Sequence, residues 1–319
     1  MYRSKFAPCI DDMLTSLHKS GLIVGFINYF LVDFDEYCNK NFPDASLLTS
    51  EIAESWIHNS VSPSKRHMSN RILTMKHLGR YQQSLGEASY VPNYNIKRIP
   101  AEEPRLFNNQ QLTEFFEKVD TKIVATKTFP FNNIVYPVLF RVIYCCGLRL
   151  SEACNLKLED VDLTQGTLTI YRSKGLKDRK IFVSDDIRNL CVQFHKFYNI
   201  AMPNREYFFQ PNPDRSHYKA IDVWRIFTSM LKGTSFGGEP GKSFTPHGLR
   251  HLFAVQNIRK CAEAGEDFAN WIEYLRQYMG HKRIKSTMYY LHMTSQLFPV
   301  YKDKLLALEE GIGVARVED

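Results

Sequence analysis

Within the sixteen residues VPNYNIKRIPAEEPRL (91–106) stand three prolines, Pro92, Pro100 and Pro104. Each lacks a backbone N–H and pushes the residue before it out of helical geometry, so no continuous helix passes through this stretch. Its mixed charge completes the signature of an extended linker, and the chain divides there, near Pro100. Length agrees, because 319 residues exceed the size at which one hydrophobic core usually stops growing. The expected organisation is a helical domain over 1–98, a linker over 99–106 and a second domain over 107–319.

On both sides of the linker the apolar spacing is mostly that of helices. From Cys9 to about Ser84 apolar residues recur three and four apart, at Met13 and Leu17 and then at Ile23, Ile27, Phe30, Leu31 and Phe34. After Asn108 a polar lead-in precedes Leu112, Phe115, Phe116 and Val119, and residues 134–145 are apolar enough for a central buried helix. The run TLTIYRSKGLKDRKIFVS then changes period. Two short β-branched segments, 167–171 and 180–183, flank a glycine-containing polar loop and predict a β-hairpin. Further helices are expected over 221–231, 246–264, 267–279, 286–293 and 301–309. The fold class is therefore mainly α, with one small β-hairpin or sheet in the second domain.

Several function classes are disfavoured early. The seven cysteines are odd in number, scattered, and form neither a CxxC pair nor a zinc spacing, which fits reduced thiols in a cytoplasmic protein. The most apolar run, residues 21–32, is interrupted by Asn28 and is shorter than the roughly 20 residues a membrane span needs, so it reads as a core helix. Asp11 and Asp12, with no small-residue cleavage site, argue against a secretion signal. A net charge of +7, from 41 Lys and Arg against 34 Asp and Glu, favours an anionic partner such as nucleic acid.

The most informative string is Thr245-Pro246-His247-Gly248-Leu249-Arg250-His251. Thr245 is a natural N-cap and Pro246 suits the first helical position, so His247 and Arg250 share one side of a helix start, where orphan N–H groups favour a phosphate. An HxxR pair alone is weak, since it is usually a solvated helix face. Upstream, Gly147-Leu148-Arg149-Leu150-Ser151-Glu152-Ala153 sets an arginine where a buried helix meets a loop. Downstream come Met279-Gly280-His281 and then Ser286-Thr287-Met288-Tyr289-Tyr290. Taken singly, Arg149 reads as a helix-terminal charge, His281 as a cap after Gly280 and Tyr290 as a half-buried aromatic; together these readings lose.

In this order and spacing, the boxes GLRLSEA, HGLRH and MGH followed by Tyr290 resemble the tyrosine recombinase and integrase family, over about 107–297. The resemblance implies a tyrosine recombinase fold, with a core-binding, DNA-clamping N-terminal domain and a catalytic domain. It implies Arg149 and Arg250 as the two catalytic arginines, His247 and His281 as active-site histidines, Lys174 as the hairpin lysine and Tyr290, nine residues beyond His281, as nucleophile. Glu152 would support Arg149, either by orienting the site or as a structural ion pair, and His251 fits packing or support. Departures are an adjacent tyrosine, Tyr289, and an extra hairpin lysine, Lys177.

The chemistry suits these roles. Charge grows on the non-bridging phosphate oxygens during attack, and two fixed guanidiniums with an imidazole hold it. A tyrosyl ester conserves the bond energy, so rejoining needs no ATP. Lys174 would protonate the departing 5′-oxygen, while His247 either accepts the tyrosine proton or holds the phosphate. No acidic cluster of metal-ligand type accompanies them, so neither metal nor cofactor is expected.

Residues 59–84 hold Lys65, Arg66, Arg71, Lys76 and Arg80 and no acidic residue, a candidate DNA-binding face opposite Met68, Ile72, Met75 and Leu78. Pro299 precedes an amphipathic segment with Tyr301, Leu305, Leu306 and Leu308, which the resemblance allows to dock on a neighbouring protomer or on its own. It also implies a homotetramer on paired double-stranded recombination sites, exchanging strands through a Holliday junction, in integration, excision, transposition or resolution of DNA multimers. An enzyme of this kind would be cytoplasmic and nucleoid-associated, and the lack of an obvious arm-binding domain favours a simple-site or small mobile-element enzyme. Two alternatives stand beside it: relaxation of DNA in the manner of a type IB topoisomerase, and a catalytically silent DNA-binding accessory protein.

Overall fold

The computed structural model of the chain describes residues 2–20, 25–59, 65–95, 104–171, 178–237, 244–265, 267–284 and 286–290. Two units make up the chain, Met1–Glu102 and Glu103–Asp319. In the first, four helices follow one another: α1 (Ala7–Lys19), α2 (Gly25–Asn41), α3 (Ser50–His58) and α4 (Lys65–Ser84). Their three-and-four spacing gathers Ile10, Met13, Phe30, Leu31, Phe34, Trp56, Ile57, Met75 and Leu78 into one core. Thr49 caps α3, its hydroxyl accepting from the Ile52 N–H at 3.3 Å. The buried Asp35 of α2 is satisfied by the start of the chain, accepting from the Arg3 and Ser4 amides at 2.7 and 2.9 Å.

One expectation is corrected here. Arg71 does not face solvent with the other cations of α4; it is 3% exposed, lies 4.3 Å over the Trp56 ring and donates to the Trp56 carbonyl and the Asp33 carboxylate. The reason is phase. At 3.6 residues per turn Arg71 shares its side of α4 with Met75, Leu78 and Gln82, whereas Lys65, Arg66, Lys76 and Arg80 fall within roughly 100° of arc on the other side. Lys65, Arg66 and Arg80 are exposed, and Lys76 is half-buried, donating to Asn95 Oδ1 at 2.8 Å. Arg71→Ala should therefore destabilise the protein by about 2 kcal/mol, because it leaves the Trp56 carbonyl without its donor and strips the packing from the Trp56 ring, while the half-exposed Asp33 carboxylate can turn to water. Lys65→Ala and Arg66→Ala should leave the thermal midpoint unchanged and, on the DNA-binding role expected of this face from sequence, lower the salt slope of DNA binding by about 0.9 for each phosphate left without its cation. Thermal melts and binding titrations at several salt concentrations check both.

The second unit is built around α6 (Asn132–Cys146), which is apolar on nearly all sides and packs against α5 (Asn109–Lys122), α8 (Asp185–Ala201) and α10 (Pro246–Ala264). A capping box opens α5: Asn108 Oδ1 accepts from the Gln111 amide at 2.8 Å, and Gln111 Oε1 from the Asn108 amide at 3.1 Å. After the short α7 (Leu150–Cys154) comes an antiparallel three-stranded sheet in the order β1 (Val161–Asp162), β2 (Thr167–Ile170) and β3 (Arg179–Phe182), which sets Leu168 opposite Ile181 and Ile170 opposite Arg179. The helix α8 is absent from the sequence expectation, although Ile187, Cys191, Phe194 and Tyr198 give it a regular buried stripe. Helices α9 (Ala220–Lys232) and α11 (Phe268–Tyr278) and the helical residues 286–290 follow in the described part of the unit.

Arg105 and Leu106, read from sequence as linker, belong to the second unit: Arg105 lies 4.6 Å over the Phe244 ring, and Leu106 packs with the cluster of Val255, Ile272 and Met279. Residues 99–103 of the expected linker, Lys174 and Lys177, and the expected helix at 301–309 lie outside the described residues. Among the described residues no helix is long and apolar enough to cross a membrane.

Candidate active site

Three chain reversals bring the sequence boxes together. The first closes α6 at Gly147, whose φ of 59° and carbonyl direction suit glycine: a Cβ there would lie 2.5 Å from the Phe253 ring. The Gly147 carbonyl accepts from Arg250 Nη1 at 2.6 Å, and two residues later Arg149 opens α7. Glu152, at the third position of that helix, accepts from the Arg149 amide at 2.8 Å and from its Nη1 at 2.6 Å.

The second reversal is the start of α10, capped by Thr245, whose hydroxyl accepts from the Gly248 N–H at 3.3 Å, with Pro246 behind it as the sequence predicts. This places Arg250 in the interior at 1% exposure, where it donates from Nη2 to the Met279 carbonyl at 2.5 Å and reaches His281 Nε2 at 3.2 Å. The third reversal ends α11. The Gly280 amide donates to the Gln277 carbonyl at 2.9 Å and the His281 amide to the Arg276 carbonyl at 3.0 Å, a Schellman closure with left-handed Gly280 in its middle. Arg149 Nη2 donates to the Gly280 carbonyl at 2.8 Å, so the first and third reversals hold each other.

Tyr290 is 3% exposed and its hydroxyl lies 3.0 Å from His251 Nδ1. Its ring stacks on His281 with centroids 6.0 Å apart and planes at 17°. His247 is exposed, with its ring 4.4 Å from that of His251, centroid to centroid. Of the expected site residues, the structure brings together Arg149, Glu152, Arg250, His281 and Tyr290, sets His247 at the rim beside His251, and leaves Lys174 outside the described residues. Two residues enter that the motifs did not assign to the site. His251, expected in packing or support, contacts the tyrosine hydroxyl. Arg179 donates to Glu152 from Nη1 at 3.0 Å and from Nη2 at 2.7 Å. The alternation of β3 carries a signal for it: Arg179 shares the inward side with buried Ile181, while Lys180 and Phe182 face out.

The electrostatics follow from one carboxylate among three guanidiniums. Burial alone would raise the Glu152 carboxyl, but the hydrogen bonds and charge of Arg179 and Arg149 overrule it and hold it at about 2. Burial, then the charge of Arg149, lowers Arg250 to about 10, with Glu152 opposing. Burial and the cationic neighbours bring His281 and His251 to about 3, so both imidazoles are neutral near pH 7. With Arg250 donating to Nε2, the His281 proton sits on Nδ1, 2.9 Å from Thr287 Oγ1. Burial raises Tyr290, and Arg250 partly offsets it.

The histidines make acid a destabilising condition. Their folded values lie below the ordinary 6.5, so between about 3 and 6.5 the unfolded chain binds more protons and stability falls as pH drops. The thermal midpoint should begin to decline near pH 6.5, and replacing both His251 and His281 with glutamine should flatten that decline.

A buried phenol aligned by a neutral imidazole, beside two fixed guanidiniums and a second imidazole, is equipment for transferring a phosphoryl group to tyrosine. A profile of the phage integrase family matches residues 107–296, more than half of the chain, and the chain belongs to that family. Its relatives include the tyrosine recombinase XerA of Pyrococcus furiosus, 27% identical over 218 residues that cover 68% of this chain and 67% of the relative. A tyrosine recombinase of Thermosipho africanus is 24% identical over 235 residues, 74% of each chain. Among solved structures, the XerH site-specific recombinase bound to difH substrate, in a pre-cleavage complex, shares the fold with a TM-score of 0.61 at 22% identity, over 84% of this chain and 76% of that one. A lambda integrase dimer bound to a core site does so with a TM-score of 0.61 at 13% identity, over 89% and 76%. Tyrosine-type site-specific recombination is accordingly the activity of this chain.

Proposed function

We propose that this enzyme acts on double-stranded DNA at specific recombination sites, with Tyr290 as nucleophile. The observation that carries this reading is the meeting of Tyr290, Arg250 and His281, supplied by the helical residues 286–290, by α10 and by the turn that ends α11, around one small volume. Arg149 and Arg250 take the non-bridging oxygens of the scissile phosphate, and His281, accepting from Arg250 at Nε2, orients that guanidinium. The Tyr290 oxygen bonds to phosphorus as its proton leaves, and the bond to the 5′-oxygen breaks, leaving a 3′-phosphotyrosyl ester and a 5′-hydroxyl once Lys174 donates a proton. Attack by a 5′-hydroxyl from the partner site reverses the step. Bonds and protons balance without ATP.

His251 is the group placed to accept the tyrosine proton, with Nδ1 as acceptor when its own proton is on Nε2; His247, at the rim, is suited to hold the phosphate or pass the proton onward. Lys65, Arg66, Lys76 and Arg80 line one side of α4 and suit the backbone of a duplex clamped by the N-terminal unit. Assembly as a homotetramer on paired sites completes the reading. The two solved proteins of the same fold described above are complexes with substrate or core-site DNA, which supports the partner. The named relatives are recombinases, which favours strand exchange over simple relaxation.

The test is a nicked suicide duplex carrying the native element's ends, incubated with the full chain in EDTA and without ATP. A covalent protein–DNA adduct on a denaturing gel, and recombinant products from paired intact sites, are expected. Specific binding without adduct would make the chain a silent DNA-binding protein, relaxed circles without recombinants would make it a topoisomerase, and loss of cleavage in EDTA would overturn metal independence.

A further inference from the structure

All three guanidinium nitrogens of Arg179 donate inside the second unit. Its Nε donates to the Tyr278 carbonyl at 2.8 Å, and Nη1 and Nη2 form a two-point fork on Glu152. The side chain is 9% exposed. It lies against Gly280 so closely that a Cβ there would come within 2.9 Å of Nη1. One guanidinium thus ties β3 to α7, to the last turn of α11 and to the corner that carries His281.

The carboxylate it grips is saturated. Glu152 Oε1 accepts from Arg149 Nη1 and Arg179 Nη1, and Oε2 from the Arg149 amide and Arg179 Nη2, four N–H donors for about four lone-pair sites. Arg250 Nη1 is 3.7 Å away. A carboxylate held only by Arg149 would be free to swing onto it and compete with a phosphate for the same guanidinium. Half of its donors come from Arg179, and the fork fixes its plane.

We propose that Arg179 is a positioning residue for strand cleavage, which locks Glu152 so that Arg149 and Arg250 remain directed at the scissile phosphate and seats the Gly280–His281 corner. The proposal rests on the reading of those groups as phosphate ligands. Arg179 itself touches no reacting atom.

The test is the single-turnover rate constant of adduct formation at saturating DNA, for the full chain carrying Arg179→Ala, Arg179→Lys, Glu152→Gln or the Arg179→Ala/Glu152→Gln pair. The rate constant does not depend on how much protein is folded, whereas the final adduct amplitude does, so the two readouts separate positioning from folding. Arg179→Ala should slow cleavage by about 100-fold with DNA affinity unchanged, the size expected of a misplacement of about 1 Å remote from the chemistry. Arg179→Lys, which keeps the charge but not the fork, should be slowed less, and keeps the test open if the alanine variant folds poorly. In the Glu152→Gln background the Arg179 effect should shrink, since both act through one ion pair. A wild-type rate constant in either Arg179 variant, or additive losses in the pair, would overturn the proposal. No adduct from the wild type, despite specific binding, would instead bring down the parent reading.

Discussion

Tyr290→Phe is expected to abolish the covalent adduct, a loss of at least about 1,000-fold, because it deletes the one oxygen that attacks phosphorus and leaves the ring in place. The packing supports a clean experiment. Tyr290 is buried among Val255, Met279 and Met288, and its ring stacks on His281, so phenylalanine fills the same volume. Tyr289 is the control, since the adjacent tyrosine is half-buried and its ring meets that of Tyr290 at 5.9 Å. Tyr289→Phe should retain the adduct. The opposite pattern on a denaturing gel would move the nucleophile by one residue and leave the reaction class intact.

Removing Glu152 should have the largest effect on stability. Its side chain is 6% exposed and forms ion pairs with Arg149 and Arg179, with Arg250 nearby. Glu152→Ala leaves three guanidiniums facing one another, two of them nearly buried, without the anion between them. Taking one partner out of a buried charge cluster costs roughly 3–5 kcal/mol, and in a unit of this size that lowers the thermal midpoint by roughly 10 °C. The pH dependence has a definite sign. The folded carboxyl titrates at about 2, below its ordinary 4.5, so its stabilisation is complete above the ordinary value and is lost as pH falls through that value toward about 2. The difference in midpoint between wild type and Glu152→Gln should therefore be greatest near neutrality and narrow in acid. A difference that stays constant with pH would show that the ion pairs are not its source.

Much of this architecture is legible in short-range pattern. The cap of Thr245 with Pro246, the helix after the polar lead-in at Asn108 and the buried run of α6 each depend on neighbours within a turn or two, and each forms as its residues predict. The hairpin is legible too, since period two and a polar glycine loop are local signals. Failures occur where one residue type serves two environments. Charge alone groups Arg71 with the exposed cations of α4, yet its spacing to Met75 and Leu78 puts it on the apolar stripe, and the Trp56 ring with the Asp33 carboxylate makes its burial tolerable. His247 and His251 sit one turn apart on α10, and only the placement of Tyr290 distinguishes them.

By itself, then, the sequence determined the mainly helical segmentation, the hairpin, and the identities and order of Arg149, His247, Arg250, His281 and Tyr290, because periodicity, capping and motif spacing are properties of neighbouring residues. The tertiary structure alone decided which of these groups touch. Arg149 meets the carbonyl of Gly280 across 131 residues, and Arg179 meets the carbonyl of Tyr278 across 99. A guanidinium has the same charge and donors wherever it lies in the chain; whether it grips solvent, a neighbouring carboxylate or a carbonyl at the end of a distant helix is set by the packing of the core that brings those acceptors within reach.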